Sequence, residues 1–281
     1  MNNIYSNLLI TKYRFSIYHK FLKALDEYDL IEPNDNIMVC ISGGKDSFLM
    51  ALCFKEIKKW TKIPFSASYV CMNPGYTKEK LDEIIDNAKI LDIPLTIFDT
   101  NIFKIALSQD DKKCYICAKM RRGALYSKAK ELGCNKIALG QHFNDQIETT
   151  IMSILYSGKV ETMLPKVKSD NYEGLSLIRP MYLVHEDDII SYSKEANLNF
   201  LKGECFATST SSLCSNSKRQ YTKELIKKLK EDDPNIDKNI FISMENVNID
   251  KVVGYKKGKE KYSINSIKEN KEQTDWVCSL F

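Results

Sequence analysis

One short segment of this chain combines glycines, hydroxyls, a lysine and an acid in the way that a phosphate-binding loop requires. It reads Ser42, Gly43, Gly44, Lys45, Asp46 and Ser47. The glycines let the backbone bend tightly, and the amides of the loop and of a following helix would then converge on one anion. Asp46 would repel a phosphate unless Mg²⁺ lay between them. A glycine turn before a serine-capped helix would explain the glycines but not Lys45 beside Asp46.

A second polar segment, residues 140–149, also follows an apolar run and opens a helical pattern. It contains Gly140, Gln141, His142, Asn144 and Asp145. In an open α/β sheet the carboxyl ends of the strands form the ligand crevice, so both segments fall where a ligand binds. A single histidine such as His142 is more often structural than catalytic, and the segment matters because of its other polar residues.

Residues 42–47 resemble the Ser-Gly-Gly-x-Asp-Ser signature of the PP-loop ATP pyrophosphatases, and the Walker A spacing is missing. Residues 140–149 resemble the Gly-His-His-x-Asp-Asp-x-x-Glu-Thr element of that superfamily, except that Gln141 and Asn144 replace a histidine and an aspartate. The resemblance implies that the chain binds ATP and Mg²⁺ and splits ATP between its α- and β-phosphates. It implies catalytic roles for Lys45, Asp46 and Asp145.

The same resemblance extends the ATP site beyond the loop. Met72 would pack against adenine, although a core methionine is an equally good account. Gly140 would let the adenosine approach the strand end. Arg179, followed by Pro180, would close this half of the site, or it is a surface arginine before a turn.

The chain has nine cysteines, and their spacing leaves several chemistries open. Cys114 and Cys117 form a Cys-x-x-Cys pair within one helical turn, which suits zinc, a redox pair or chance. A structural zinc site needs four ligands, and no second Cys-x-x-Cys exists. Cys205 and Cys214 lie in a Ser/Thr-rich stretch. Three cysteines holding a [4Fe–4S] cluster would leave one iron open to a ligand such as sulfide, whereas the alternative is a set of unrelated thiols.

A further resemblance covers about residues 15–248. Residues 114–126, 136–140 and 156–159 are similar to the tRNA 2-thiocytidine synthetases, the TtcA-like family. This resemblance implies that Cys114, Cys117 and one later cysteine bind the cluster. We expect the later ligand to be Cys205, with Cys214 as the alternative. It further implies that cytidine in tRNA becomes 2-thiocytidine, with sulfur from a cysteine desulfurase or sulfide, in a homodimer.

The composition limits which partners and which cellular compartment fit the chain. The formal net charge is only +4, from 41 basic and 37 acidic residues, so any RNA contact must come from a local patch. The candidate RNA-binding patch surrounds the Cys-x-x-Cys pair and consists of Lys112, Lys113, Lys119, Arg121 and Arg122. An ordinary solvated helix face is an equally good interpretation of these residues. No apolar run has the length of a membrane span, and the N-terminal residues lack the pattern of a secretory signal. We therefore expect a cytoplasmic protein.

The elements that must position these residues alternate between short apolar runs and helical patterns. This alternation predicts a doubly wound parallel sheet with helices on both faces. We expect an N-terminal helical segment in residues 1–30, the PP-loop ATPase domain in residues 31–200, and a small C-terminal extension in residues 201–281. One amphipathic helix is predicted over residues 12–29, with Phe15 on its buried face, and a mobile or weakly packed tail over residues 251–273.

These features together predict an ATP-dependent tRNA sulfurtransferase. One enzyme alternative stays open, a sulfurtransferase for another RNA base or a small molecule. A non-enzyme alternative is a nucleotide-binding scaffold without turnover, which the departures at Gln141 and Asn144 would favour. A zinc-bound structural protein is a third alternative.

Overall fold

Strand β1 (Asp35–Ile41) lies inside the sheet because its side chains are apolar on both faces. Met38 and Val39 point in opposite directions, as neighbours in a strand do, and both are fully buried. The structure is a computed structural model that describes residues 4–108, 113–201 and 218–263, without the side chains of Leu107 and Cys114. The chain divides into two compact units, Met1–Asp237 and Lys238–Phe281.

Six strands form the sheet of the first unit, in the order β3-β2-β1-β4-β6-β5. All neighbours are parallel except β5 and β6, which are antiparallel. After β1 the strands are β2 (Phe65–Asn73), β3 (Leu95–Asp99), β4 (Lys136–Ala138), β5 (Lys166–Lys168) and β6 (Ser176–Ile178). The chain extends the sheet on one side of β1 and then returns to its other side at β4. The junction of β1 and β4 is therefore the topological switch point, where such sheets bind ligands.

Helices cover both faces of the sheet. The helices of this unit are α1 (Ile4–Ile10), α2 (His19–Glu27), α3 (Lys45–Ile57), α4 (Lys78–Ile90), α5 (Ile102–Leu107), α6 (Lys113–Glu131), α7 (Phe143–Ser157), α8 (Glu186–Glu195) and α9 (Lys218–Asp232). Most of α10 (Ile236–Ser243) belongs to the second unit. On one face Phe21, Phe48 and Phe54 are fully buried in the larger core. On the other face Tyr126 of α6 packs in a smaller core with Ile137 of β4. The prediction of a doubly wound, largely parallel sheet is confirmed.

The prediction for the N-terminal segment is wrong in two respects. In place of one helix over residues 12–29, a π-helical turn (Arg14–Tyr18) leads into α2, and α1 precedes both. Phe15 is 76% exposed, whereas Ile17 and Phe21 are fully buried. The π-helical turn shifts the register of the apolar face, because it adds residues to a turn. The spacing of Phe15 from later apolar residues does not reveal that shift.

Part of the predicted tail is ordered secondary structure. Strands β7 (Gly254–Lys257) and β8 (Glu260–Ser263) pair antiparallel in the second unit, and Gly258 has a φ of 63° in the turn between them. The rings of Tyr255 and Tyr262 stack across the pair with centroids 4.8 Å apart. A glycine at positive φ permits a two-residue turn, so this hairpin forms despite its polar sequence. The Ser/Thr-rich stretch that contains Cys205 and Cys214 lies outside the described residues.

Candidate active site

The loop of residues 42–47 is closed by the hydroxyl of Ser47. The Ser42 amide donates to Ser47 Oγ (3.1 Å), and so does the Ser42 hydroxyl (3.2 Å). Ser47 Oγ in turn donates to the Gly44 carbonyl (2.8 Å). This hydroxyl therefore fixes the shape of the loop, and the Ser42 side chain is its polar neighbour.

Position 43 requires a glycine, both for its backbone conformation and for its close packing. Its φ is +90°, a region that side chains other than glycine rarely adopt. A Cβ atom here would lie 2.6 Å from Leu201 Cδ1 and 2.9 Å from Ile84 Cγ1. The Leu201 amide also donates to the Gly43 carbonyl (3.1 Å). The loop is thus held from behind by the chain after α8.

Gly140 joins the two polar segments. A Cβ atom at Gly140 would lie 3.0 Å from both the Cα and the backbone nitrogen of Ser47. The end of β4 therefore packs directly on the first turn of α3, backbone against backbone. This contact gives Gly140 a packing role in addition to the adenosine approach that the sequence suggested.

A cavity of about 400 Å³ opens at the carboxyl ends of β1, β2 and β4. We call it the apolar cavity. It is lined by Cys40, Ile41, Ser42, Asp46, Ser47, Val70, Met72, Arg121, Leu125, Leu139, Gly140 and Gln141. Met72 and Gly140, predicted as adenosine-site residues, both belong to this lining. Its apolar walls beside the glycine loop suit a flat aromatic base.

Arg121 is placed differently from the other members of the predicted basic patch. Its side chain lines the apolar cavity, and its Nη2 donates to the Tyr76 hydroxyl (3.4 Å). Tyr76 in turn donates to the Ser42 carbonyl (3.5 Å). Lys113, Lys119 and Arg122 are exposed, and Lys112 lies outside the described residues. Arg121 therefore differs from these exposed neighbours, because it lines the apolar cavity.

Arg179 lies behind the apolar cavity rather than in its lining. Its Nε donates to Gln141 Oε1 (2.5 Å), and its Nη1 donates to the Leu164 carbonyl. Burial lowers the pKa of Arg179 to about 10. An arginine side chain can only donate hydrogen bonds, so Arg179 holds the Gln141 side-chain oxygen toward itself. The NH₂ group of Gln141 then points elsewhere and can donate to another acceptor. The replacement of a family histidine by Gln141 thus gives Arg179 a neutral acceptor.

A second cavity, of about 290 Å³, lies on the other side of Asp46. We call it the charged cavity. It is lined by Asp46, His142, Asp145, Glu148, Glu186, Arg219, Gln220 and Lys223. Lys45 Nζ lies 3.0 Å from Asp46 Oδ1 and 3.7 Å from Glu186 Oε1. Asp46 is the one residue that lines both cavities.

The first two turns of α7 supply two of the carboxylates, Asp145 and Glu148. The His142 amide donates to Asp145 Oδ2 (3.0 Å), which caps the helix. Arg219 donates from Nη2 to Asp145 Oδ1 and from Nε to Glu148 Oε2, the latter at 2.9 Å. Burial raises the pKa of Glu148, and Arg219 opposes that shift.

The first turn of α8 supplies a third carboxylate, and Asn144 positions it. Asn144 Oδ1 accepts a hydrogen bond from the Glu186 amide (2.9 Å). Lys223 Nζ lies 2.6 Å from Glu186 Oε2. Burial alone would raise the pKa of Glu186, but Lys223, with His142 and Lys45, lowers it below the usual value. The replacement of a family aspartate by Asn144 therefore has a structural role, because a neutral side chain caps α8 without adding charge.

Two buried polar atoms at this site lack a hydrogen-bond partner within the part of the chain that the structure describes. They are Asp46 Oδ1 and His142 Nδ1. Lys45 is close to Asp46 but donates its hydrogen bond to the other oxygen, Oδ2 (3.3 Å). The Lys45 ammonium nevertheless lies 3.0 Å from Asp46 Oδ1, and a capping box places the Asp145 amide at the His142 side chain, so both have a polar neighbour within the protein. A carboxylate oxygen of this kind is a suitable Mg²⁺ ligand.

The cysteines fall into two groups. Cys117 is half-buried in the second turn of α6, and the backbone of Cys114 lies in the first turn. Cys205, Cys214 and the Cys114 side chain lie outside the described residues. Within the described ranges no three His, Cys, Asp or Glu side chains converge as a metal site.

The second group is the core cysteines, among them Cys71, whose thiol pKa is raised to about 12 by burial. Burial also raises the pKa of Cys40 and Cys53. Cys53 and Cys71 are fully buried core thiols, whereas Cys40 also lines the apolar cavity.

Several residues of the two cavities carry no signal in the sequence. Glu186, Arg219 and Lys223 occur in ordinary charged helices. The spacing of Arg219 and Lys223 puts them on one side of α9, but the same spacing occurs in any solvated helix. Only tertiary packing brings them to the cavity.

Comparison with known proteins identifies the family. A family model described as a PP-loop domain matches residues 15–228. A tRNA-cytidine(32) 2-sulfurtransferase of Coxiella burnetii is 34% identical over 235 residues, which are 82% of this chain and 88% of the relative. The chain belongs to the tRNA-cytidine(32) 2-sulfurtransferase family. A Francisella philomiragia member is 34% identical over 86% of this chain and 93% of its own length.

Other members of the 2-sulfurtransferase family are longer. The match to a Neisseria meningitidis serogroup C member, 36% identical, covers 63% of this chain but only 56% of that relative. Among solved structures, the U34-tRNA thiolase NcsA from Methanococcus maripaludis, with its [4Fe-4S] cluster, has a TM-score of 0.63 at 22% identity. It covers 86% of this chain and 84% of its own, so the two share a fold. None of the helices in the described ranges is long and apolar enough to cross a membrane.

Proposed function

We propose that this chain converts a cytidine of tRNA to 2-thiocytidine, using ATP to activate the base. The observation that carries the proposal is the meeting of two cavities at Asp46, one apolar and one charged, on either side of a complete PP-loop. Membership of the 2-sulfurtransferase family supports the choice of substrate. The overall reaction consumes cytidine, ATP and sulfide and yields 2-thiocytidine, AMP and pyrophosphate.

The apolar cavity would hold the adenosine, with Met72 and Leu139 against the base. The triphosphate would then pass over residues 42–47, whose amides and helix dipole favour an anion. Ser42, Gly43, Gly44 and Ser47 shape this loop. Lys45 and a Mg²⁺ ion at Asp46 and Asp145 would spread the charge of the departing pyrophosphate. Gln141, oriented by Arg179, would offer its amide N–H groups to the nucleotide.

The C2 oxygen of the cytidine attacks the α-phosphorus, and the bond to pyrophosphate breaks. The base then carries AMP on that oxygen, which makes the oxygen a good leaving group. Sulfur adds to C2, and AMP departs with the oxygen. Asp46 touches both cavities and so lies where the α-phosphate joins the two ends of ATP.

A [4Fe–4S] cluster would be held by Cys114, Cys117 and Cys205, with Cys214 as the alternative third ligand. Soft thiolates three residues apart in one helical turn fit such a group, and three ligands leave one iron that can carry sulfide. The archaeal thiolase of the same fold carries such a cluster. We further propose that the chain acts in the cytoplasm as a homodimer, with a cysteine desulfurase or free sulfide as donor.

Mass spectrometry of tRNA nucleosides tests the substrate. Cells that lack the chain should lose 2-thiocytidine, and the wild-type chain should restore it. The Cys117→Ala variant should not restore it, whereas Cys53→Ala, which changes a buried core thiol, should. Unchanged 2-thiocytidine in the deleted strain, or loss of a different thiolated nucleoside, would contradict the proposed substrate.

A further inference from the structure

Helix α9 forms one wall of the charged cavity. It comes after the alternating strands and helices that carry the other site residues. Arg219, Gln220 and Lys223, all from its first two turns, line that cavity. Arg219 reaches Asp145 and Glu148, and Lys223 reaches Glu186. These contacts connect α9 with the first turns of both α7 and α8.

The charge of the cavity shows why those cations matter. Four carboxylates line it, from Asp46, Asp145, Glu148 and Glu186, against two cations from α9. Without the cations, four carboxylates beside the phosphate loop would repel a triphosphate. Arg219 pairs with two of the four at once, because its single positive charge lies between Asp145 and Glu148.

Arg219 also has unused capacity for an anion. The side chain is 47% exposed, so it faces open space at the cavity. A guanidinium has five N–H donors, and its two carboxylate bonds use two of them, which leaves three for a ligand within the described part of the chain. The planar fork matches the geometry of phosphate oxygens.

We propose that Arg219 is a substrate-binding residue that contacts the pyrophosphate end of ATP. The inference rests on the proposed function, because it presupposes ATP with its phosphates directed toward Asp46 and Asp145. Arg219 lies on Asp145, at the end of the site opposite the apolar cavity. It therefore binds the β- and γ-phosphates and stabilises the charge that develops on departing pyrophosphate, and it makes no contact with adenosine or the α-phosphate.

The test compares binding of two nucleotides to the full chain by calorimetry. The probes are α,β-methylene ATP, which cannot be split, and AMP, which lacks the pyrophosphate end. Arg219→Gln should weaken binding of the ATP analogue by about ten- to a hundredfold, the value of a charge-assisted hydrogen bond. It should leave AMP binding within about twofold. Arg219→Lys should fall between Arg219→Gln and the wild type, because it keeps the charge but loses the fork.

Lys228→Gln is the matched control. Lys228 is exposed on α9, and nine residues at 100° each turn it to the side opposite Arg219. It should change neither affinity. Equal affinity of wild type and Arg219→Gln for the ATP analogue would overturn the inference. Equal weakening of both nucleotides would also overturn it, since that result indicates a purely structural ion pair. Failure of the wild type to bind either nucleotide would instead overturn the proposed function.

Discussion

The apolar cavity and the charged cavity share Asp46, yet they are built in different ways. The apolar cavity lies at the carboxyl ends of β1, β2 and β4, where the parallel register aligns the strand ends. The charged cavity is assembled mainly from the N-terminal turns of α7, α8 and α9, which are separate in the chain. The first is shaped by backbone and glycine, and the second by ion pairs between helices.

Under the proposed function, this difference separates two tasks. Shape and apolar walls hold the part of a nucleotide that does not change during the reaction. Opposed charges surround the part where charge develops, and a preorganised set of charges is the larger source of rate enhancement. Changes in the two cavities should therefore differ in which nucleotide they affect and by how much.

Asp46, the residue common to both, should show the largest effect. We expect Asp46→Asn to lower the rate of tRNA-dependent pyrophosphate release from ATP by about 100- to 1,000-fold, as loss of one preorganised electrostatic group does. The Asp46 side chain is 30% exposed, so the fold should persist. The control is Asp92→Asn, an acid 85% exposed and paired with Lys55, which should stay within about twofold of wild type. Full activity of Asp46→Asn would remove Asp46 from the chemistry.

Gly140 tests the contact that joins the strand end to the phosphate loop. Gly140→Ala would bring a methyl group to 3.0 Å from backbone atoms of Ser47. Backbone atoms cannot rotate aside as the end of a flexible side chain can. We expect a loss of about 1–3 kcal/mol in unfolding free energy and about tenfold weaker binding of both ATP and AMP. Gly123→Ala in α6 meets no atom within 4 Å in the described structure and should be neutral or stabilising. Equal denaturation curves for the two variants would contradict the packing role.

Asn144 tests the charged cavity from its second helix. Asn144→Ala removes the cap of α8, at a cost of about 1 kcal/mol in unfolding free energy, and frees Glu186 from its position. We expect ATP to bind about fivefold more weakly while AMP binding is unchanged. Asn248→Ala removes a comparable cap in the second unit, where Asn248 accepts from the Asp250 amide, and should leave both affinities unchanged. An equal loss for AMP would show that the two cavities do not act separately.

The thiol of Cys71 should have the smallest effect, on stability alone. Burial raises the pKa of this thiol to about 12, whereas in the unfolded chain it ionises near pH 9. Between these values the unfolded state loses a proton that the folded state keeps, so rising pH favours unfolding. We expect the wild type to lose about 1 kcal/mol more than Cys71→Ala between pH 9 and 10, measured by urea unfolding. Parallel pH profiles would contradict the assignment.

The two cavities also mark how far the sequence predicts the molecule. The apolar runs and glycines of residues 37–47 locate β1, the loop and α3, because strand burial and a bend at positive φ are local requirements. Gly140 and Met72 follow from the same logic of strand ends. Arg219 and Glu186 do not, because their roles depend on where α8 and α9 pack, which no spacing in the sequence specifies.

Two further differences have physical causes of the same kind. Arg121 resembles its exposed neighbours in sequence, yet its hydrogen bond to Tyr76 turns it toward the apolar cavity. Gln141 and Asn144 differ from the family element that they resemble, and each contacts a residue distant in the chain, Arg179 and Glu186. The effect of such a replacement can be interpreted only when the structure shows which distant residue the new side chain contacts.

The central claim is that the two cavities bind ATP so that it breaks between its α- and β-phosphates. The most direct measurement uses ATP labelled at the α-phosphate, full chain, Mg²⁺ and tRNA, with separation of the labelled products. The account predicts labelled AMP, with one pyrophosphate for each AMP, only when tRNA is present. Labelled ADP with inorganic phosphate, or no ATP consumption by protein that thiolates tRNA, would contradict it.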